Sequence, residues 1–168
     1  MNIVHIVGRT SSGKTTLIVD LVSEFTRRGL VAGTLKHSGH LHELDKPGKD
    51  SYLHRRAGAV PAAVATTDQI AVFLPRASGE NPFDRLSPLF SECDIVLVEG
   101  YINGPGRKIE VWRESQGSPP LFRERADILA VVTDDPLETD LPIWPRKDIP
   151  ALVDLLTDTS HQPPQARL

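Results

Sequence analysis

Gly8-Arg9-Thr10-Ser11-Ser12-Gly13-Lys14-Thr15 satisfies the pattern G-x-x-x-x-G-K-[ST] at every required position. At average residue frequencies a chance match in a chain of this length arises roughly once in a couple of hundred chains. The flanking residues argue further against chance. Asn2 to Val7, directly before the loop, is apolar and β-branched almost throughout, the pattern of a strand buried on both faces. Lys14 to Arg28, directly after it, sets Leu17, Ile18, Leu21, Val22 and Phe25 on one helical face. Asp20, Ser23, Glu24 and Arg27 occupy the other. A glycine-rich loop between a buried strand and a helix is where main-chain N–H groups cradle phosphate.

Working outward, Gly29 stops the helix and Val31 to Lys36 reads as a second strand. Ser38 to Gly48 is polar and turn-rich, a loop. Lys49 to Gly58 reads as a short helix, and Val60 to Ala65 and Gln69 to Leu74 as strands about a turn at Thr66-Thr67-Asp68. Another short helix is expected near Phe83 to Glu92. Asp94 to Glu99 is the clearest buried strand. Lys108 to Trp112 alternates polar and apolar residues, which predicts a half-exposed strand and a candidate dimer surface. Ile128 to Thr133 is another buried strand, and Asp148 to Leu156 a final helix with an Asp cap and an early Pro.

This order predicts the α/β class: a three-layer P-loop NTPase fold, with a mainly parallel sheet and helices on both faces. One nucleotide-binding domain is expected over residues 1–156, followed by a flexible polar tail over 157–168. Apolar residues at 39% and charged residues at 24% suit a soluble globular protein. Lys plus Arg total 19 against 22 Asp plus Glu, a formal charge of −3, which argues against a nucleic-acid coat or a polybasic membrane binder. The lone Cys93 excludes an internal disulfide and a multi-thiolate zinc site. The first residues lack a basic n-region and a cleavage site, and the longest weakly polar run, Ala57 to Ala65, is far shorter than a membrane span. A cytoplasmic protein with neither nucleic-acid nor membrane partners is expected.

The loop chemistry assigns roles. Gly8 and Gly13 let the backbone curl so that the N–H groups of Arg9, Thr10, Ser11 and Ser12 turn inward. Lys14 brings a cation to the β- and γ-phosphates, Thr15 a hydroxyl for Mg²⁺, and Thr16 a further donor to the α-phosphate. Mg²⁺ also needs an acid at a neighbouring strand end. Glu99, closing its strand before Gly100, is the first candidate; Asp45 and Asp50 are the others. The guanine-reading tetrapeptide Asn-Lys-x-Asp is missing. Asp134 or Asp135, after a late buried strand, is placed to accept from the N1–H and exocyclic amine of guanine, a pairing adenine cannot make. The simpler reading of Asp134-Asp135-Pro136 is a turn. His37, His40, His42 and His54 cluster with Lys36, Lys46, Lys49, Arg55 and Arg56, which reads as a solvated loop, a basic surface for a second anionic ligand or a partner, or, with no Cys and no fixed ligand geometry to support it, a metal site.

Thr34-Leu35-Lys36-His37, Asp45-Lys46-Pro47-Gly48-Lys49-Asp50-Ser51-Tyr52 and His54-Arg55-Arg56-Ala57-Gly58-Ala59 resemble the MobB family, the adaptor proteins of molybdopterin guanine dinucleotide biosynthesis. Val98-Glu99-Gly100-Tyr101, Lys108-Ile109-Glu110-Val111-Trp112-Arg113 and the P-loop extend the likeness over most of Ile3 to Asp135. Two departures stand out. Ser11-Ser12 replaces a further Gly often found in the loop, and Tyr101-Ile102 replaces a Phe-Lys pair after Glu-Gly. The resemblance implies a GTP- and Mg²⁺-binding homodimer with at most slow GTPase activity. Its partner would be a MobA-type guanylyltransferase that joins GMP to molybdopterin. Lys36, His37, Lys49 and Arg55 would then meet the pterin phosphate or the partner. Two other classes share the fold: a small-molecule kinase or ligase similar to dethiobiotin synthetase, and a nickel-delivery GTPase. The first needs an acceptor pocket beside the γ-phosphate, the second Cys/His metal pairs.

Overall fold

Strand β1 (Ile3–Val7) runs into the glycine loop and helix α1 (Lys14–Arg27) leaves it, as the sequence predicts. Then come β2 (Ala32–Lys36), α2 (Asp50–Arg56), β3 (Ala62–Ala65), β4 (Ile70–Phe73) and the short α3 (Phe83–Leu86). The chain continues with β5 (Ile95–Glu99), β6 (Arg107–Val111), β7 (Ile128–Val132), β8 (Ile143–Trp144) and α4 (Ile149–Thr157). The structure, a computed structural model, describes residues 1–158; the rest of the expected tail lies outside the described residues. Contacts divide the chain into two units, one of Met1–Ser38 with Leu86 onward, the other Gly39–Arg85.

In the first unit six strands pair in the order β2-β5-β1-β6-β7-β8, every pair parallel. All strands therefore end on one edge. The chain first leaves β1 toward β2 and later returns on the other side through β6, so the order reverses at β1. Ligands bind at such a reversal, outside the carboxyl ends of the strands. Lys36, Glu99, Gly8 and Arg113 all emerge there, with Ile6 opposite Glu99 and Glu99 opposite Lys36 in register.

One sheet face carries Val4, Ile6, Ile95, Leu97, Ile109, Val111, Ala130 and Val132, sealed by Leu17, Leu21 and Phe25 of α1 and Leu152, Val153 and Leu156 of α4. Each fully buried Leu or Phe contributes about 2 kcal/mol from apolar burial. The Asp148 carboxylate caps α4 by accepting from Ala151 N at 3.1 Å, as its sequence position predicts. On the opposite face Val7 and Ile128 pack with Leu121 from a 3₁₀ turn, Leu121–Arg123, and with Ile102 and Phe122. That layer is turn and coil instead of long helix.

The half-exposed strand expected at Lys108 to Trp112 is corrected: β6 lies between β1 and β7 and is buried at every position. It cannot serve as a dimer edge. Each of its charged residues meets a partner inside the fold. Arg107 reaches the carbonyls of Leu155 and Leu156 at the end of α4, both at 3.4 Å. Lys108 pairs with Asp127 at 3.1 Å. Glu110 accepts from Leu121 N at 2.6 Å and Phe122 N at 2.9 Å.

Burial pushes the Glu110 carboxyl above its ordinary value, against the pull of those two N–H donors. A raised folded value stabilises the protein below the unfolded value, and that contribution fades as pH rises through the folded one. Glu110→Gln, which does not titrate, is expected to remove that slope. Urea melts of both proteins from acid to neutral pH should show the stability difference, wild type minus variant, falling as pH rises. A constant difference would refute the assignment.

The helix expected over Phe83 to Glu92 breaks after Leu86 into a 3₁₀ turn, Ser87–Phe90. Pro88 has no N–H to give the α-helical ladder and its ring crowds the preceding turn. Strand β8 was not expected; it adds Ile143 and Trp144 beside β7.

The second unit holds α2 and an antiparallel hairpin pairing Ala62–Phe73, Ala63–Val72, Val64–Ala71 and Ala65–Ile70. Its turn closes through Thr66, whose N–H donates to Gln69 O and whose hydroxyl accepts from Gln69 N. The Asp45 carboxylate organises the preceding loop. It accepts from Lys46 N at 2.8 Å and Ser51 Oγ at 3.0 Å and faces Arg55 Nε at 3.4 Å. Arg55 also pairs with Glu43 and lies 5.0 Å from the Phe73 ring centroid.

Candidate functional site

At Gly8 and Gly13 the backbone has φ 148° and 93°, conformations that side chains resist. A Cβ on Gly8 would lie 2.5 Å from Val111 O, and one on Gly13 2.6 Å from the Arg113 guanidinium. The loop is therefore drawn against the end of β6. Gly13 is the N-cap of α1 and provides no side-chain cap, so the first helical N–H groups stay available at the cleft.

A cleft of about 600 Å³ opens over this loop, lined by Thr10 to Thr16, Lys36, His37, Glu99, Gly100 and Arg113. Lys14 Nζ donates to Gly8 O at 2.9 Å and Arg9 O at 2.8 Å, folding its cation across the loop entrance. Burial lowers the Lys14 ammonium from its ordinary value while the Glu99 carboxylate opposes that. Thr15 Oγ1 donates to Glu99 Oε1 at 2.8 Å, and Lys36 Nζ meets the same oxygen at 2.7 Å. Burial raises Glu99, yet the bonds from Lys36 and Thr15 outweigh it and hold the carboxyl below its ordinary value. It is ionised at neutral pH.

The donor set fits Mg²⁺. Two adjacent ligands of an octahedral Mg²⁺ stand about 2.9 Å apart, given metal–oxygen distances of about 2.0–2.1 Å. The Thr15–Glu99 oxygen separation of 2.8 Å matches that edge. An alkoxyl-type hydroxyl and a carboxylate are hard oxygen ligands, as the ion requires.

Most of the loop residues singled out in the sequence come together. Thr10, Ser11, Ser12, Gly13, Lys14, Thr15, Thr16, Lys36, His37 and Glu99 line one cleft, while Gly8 and Arg9 lend it their carbonyls. The Ser12 hydroxyl, buried within the loop, has no hydrogen-bond partner among the described residues. The Arg9 side chain turns away to Pro119 O at 3.0 Å and Glu124 at 2.7 Å. The His37 ring stacks on Tyr101 at 4.2 Å.

Other candidates sit elsewhere. Asp134 and Asp135 follow β7 but do not line the cleft. Asp135 accepts from Glu114 N at 2.8 Å and Asp134 from Lys147 N at 3.2 Å. Asp45, Asp50, Lys49 and Arg55 belong to the second unit, where Asp45 and Arg55 serve the internal bonds already described. Arg113 was missed. A single arginine after a strand gives no signal in the sequence until the fold brings it over Gly13.

A parallel sheet whose first strand feeds a glycine loop, with Lys14, Thr15 and an acid on the neighbouring strand, defines a P-loop protein of the α/β class. The chain belongs to the MobB family: the family model for molybdopterin guanine dinucleotide synthesis protein B matches residues 3–134. It is 33% identical over 154 residues to the molybdopterin-guanine dinucleotide biosynthesis adapter protein of Escherichia coli, covering 89% of this chain and 87% of that one. The Haemophilus influenzae protein of the same name is 33% identical over 158 residues, 93% of this chain and 88% of that one. The crystal structure of Bacillus subtilis MobB superposes with a TM-score of 0.70 at 28% identity, covering 98% of this chain and all of that one. Among the described residues no helix is long and apolar enough to cross a membrane.

Proposed function

We propose that this chain binds Mg²⁺·GTP and acts as the adapter in molybdopterin guanine dinucleotide biosynthesis, assisting a MobA-type guanylyltransferase. The observation that carries this reading is the cradle from Gly8 to Thr16, with Lys14 folded over its entrance and Thr15 set 2.8 Å from Glu99. N–H groups and a lysine there hold the phosphate chain; Thr15 and Glu99 hold the metal. The family names of its relatives support the pathway.

Hydrolysis in this reading is slow. The residues around the cleft supply binding charge, and Glu99 is taken up by Thr15 and Lys36. Guanine is read by Asp134, the more exposed of the two aspartates, in place of its longer contacts to Lys147, while Asp135 accepts from Glu114 N at 2.8 Å. Molybdopterin is the second ligand, with Lys36 and His37 at the cleft the groups that meet its phosphate. Lys49 and Arg55 act on the second unit. The protein works as a homodimer in the cytoplasm. The hairpin face formed by Ala63, Ala65, Ile70 and Val72 is exposed and apolar, with Ile70 at 76%, which suits a protein contact.

Calorimetric titration with Mg²⁺ present tests the nucleotide. GTP is expected to bind at least about tenfold more tightly than ATP, the loss of one or two hydrogen bonds to a charged group. Asp134→Ala should narrow that gap. Equal affinity for the two nucleotides, or no binding of either, would refute this reading.

A further inference from the structure

We infer that Arg113 is a nucleotide-binding residue of this site, clamping the α/β-diphosphate portion of the nucleotide from the β6 side. The inference rests on the nucleotide reading above and extends it to a residue outside the loop motif.

Arg113 is the second residue after β6, which pairs directly with β1. Its guanidinium lies across Gly13: Nη2, Cζ and Nε stand 2.6, 3.0 and 3.3 Å from where a Cβ on that glycine would be. Glycine at this position thus admits both the turn of the loop and the approach of the arginine. Gly13 begins α1, so the guanidinium stands at the helix end where the unpaired N–H groups collect. Two like-signed features converge on one point, an arrangement that suits an anion between them.

The charge on Arg113 is uncommitted. Among the described residues it forms neither an ion pair nor a side-chain hydrogen bond. Lys36, by contrast, is matched by Glu99 at 2.7 Å. The main chain on either side of Arg113 is held in place. Trp112 Nε1 donates to Ser118 O at 3.0 Å, Glu114 N to Asp135 at 2.8 Å and Gln116 Nε2 to the loop carbonyl of Thr10 at 2.8 Å. The arginine is thus presented to the cleft from a backbone fixed to the loop it faces.

Placement on the phosphate chain follows from the flanks. Thr15 and Glu99, the metal pair, and Lys36 approach from the β5 and β2 side. Thr15 and Glu99 would hold Mg²⁺ beside the terminal phosphates, which would set the γ end of the chain on that side. Arg113 comes from β6, across β1, and faces the other end of the chain. A guanidinium fork suits two oxygens of a diphosphate, which a lysine can meet only as a point charge.

Wild type, Arg113→Ala and Arg113→Lys are titrated with Mg²⁺·GTP and Mg²⁺·GDP, and their melting temperatures are compared. Arg113→Ala is expected to weaken GTP and GDP alike, by about tenfold to a hundredfold, with the melting temperature of the free protein unchanged. Arg113→Lys should recover part of the loss. Unchanged affinity for both nucleotides overturns the inference. So does a loss confined to GTP, which would place the guanidinium at the γ-phosphate. Failure of the wild type to bind either nucleotide refutes the nucleotide reading itself.

Discussion

Lys14→Ala is expected to weaken Mg²⁺·GTP binding at least about a hundredfold, equivalent to losing about 3 kcal/mol of charge-assisted hydrogen bonding. Lys14 Nζ now bonds the carbonyls of Gly8 and Arg9, so its ammonium already stands over the loop entrance. A triphosphate replaces two neutral acceptors with charged ones, and the cation is partly shielded from water, where such bonds are stronger. Arg113, reaching the cleft across Gly13 from the β6 side, faces the other end of the phosphate chain and does not replace a cation at the loop entrance. Lys36 is matched to Glu99, and the N–H groups carry only partial charge. The sheet should fold as before, because the Lys14 ammonium bonds only loop carbonyls. Titration of the variant beside a melting curve separates the two effects. Retained affinity in a folded variant would sink the assignment of this lysine.

Gly8→Ala strikes both stability and binding. The new Cβ would stand 2.5 Å from Val111 O, a main-chain atom of the strand paired with β1, and 2.7 Å from Ser12 Oγ. The hydroxyl can rotate; the carbonyl cannot without moving β6. Together with a φ of 148°, foreign to a side-chain-bearing residue, the substitution is expected to cost about 3 kcal/mol or more. Relief comes from displacement of the loop, so nucleotide affinity is expected to fall with stability. A denaturant melt and a GTP titration of the variant measure both. Wild-type stability would show that β6 yields where this packing says it does not.

The fold was legible where apolar periodicity carries it. β1, β5 and β7 are apolar apart from His5 and Glu99 because nearly all their positions are buried, and α1 shows its stripe from Leu17 to Phe25. The glycine loop was legible because its glycines and lysine answer local geometric needs. β6 was misjudged for a physical reason: Lys108 and Glu110 look like solvated positions, yet Asp127 and two main-chain N–H groups satisfy them inside the fold. Pairing over such separations leaves no trace in a window of sequence. β8 has only two residues between prolines, too few for periodicity to register. Asp45 is a metal candidate by its place in the loop after the second strand, and its bonds to Ser51 and Lys46 N appear only once the loop closes on α2. Arg113 belongs with these, since its meaning lies in the distance to Gly13.

The excursion from Gly39 to Arg85 departs after β2 and returns before β5, two strands that are immediate neighbours in the sheet. Parallel neighbours always need a crossover, commonly one helix. Here that obligatory link has been enlarged into a body with its own hairpin. The strands that carry Lys36 and Glu99 are zipped together by their own parallel ladder from Ala32–Ile95 onward, so changes of length or sequence inside the inserted body leave those main-chain bonds in place.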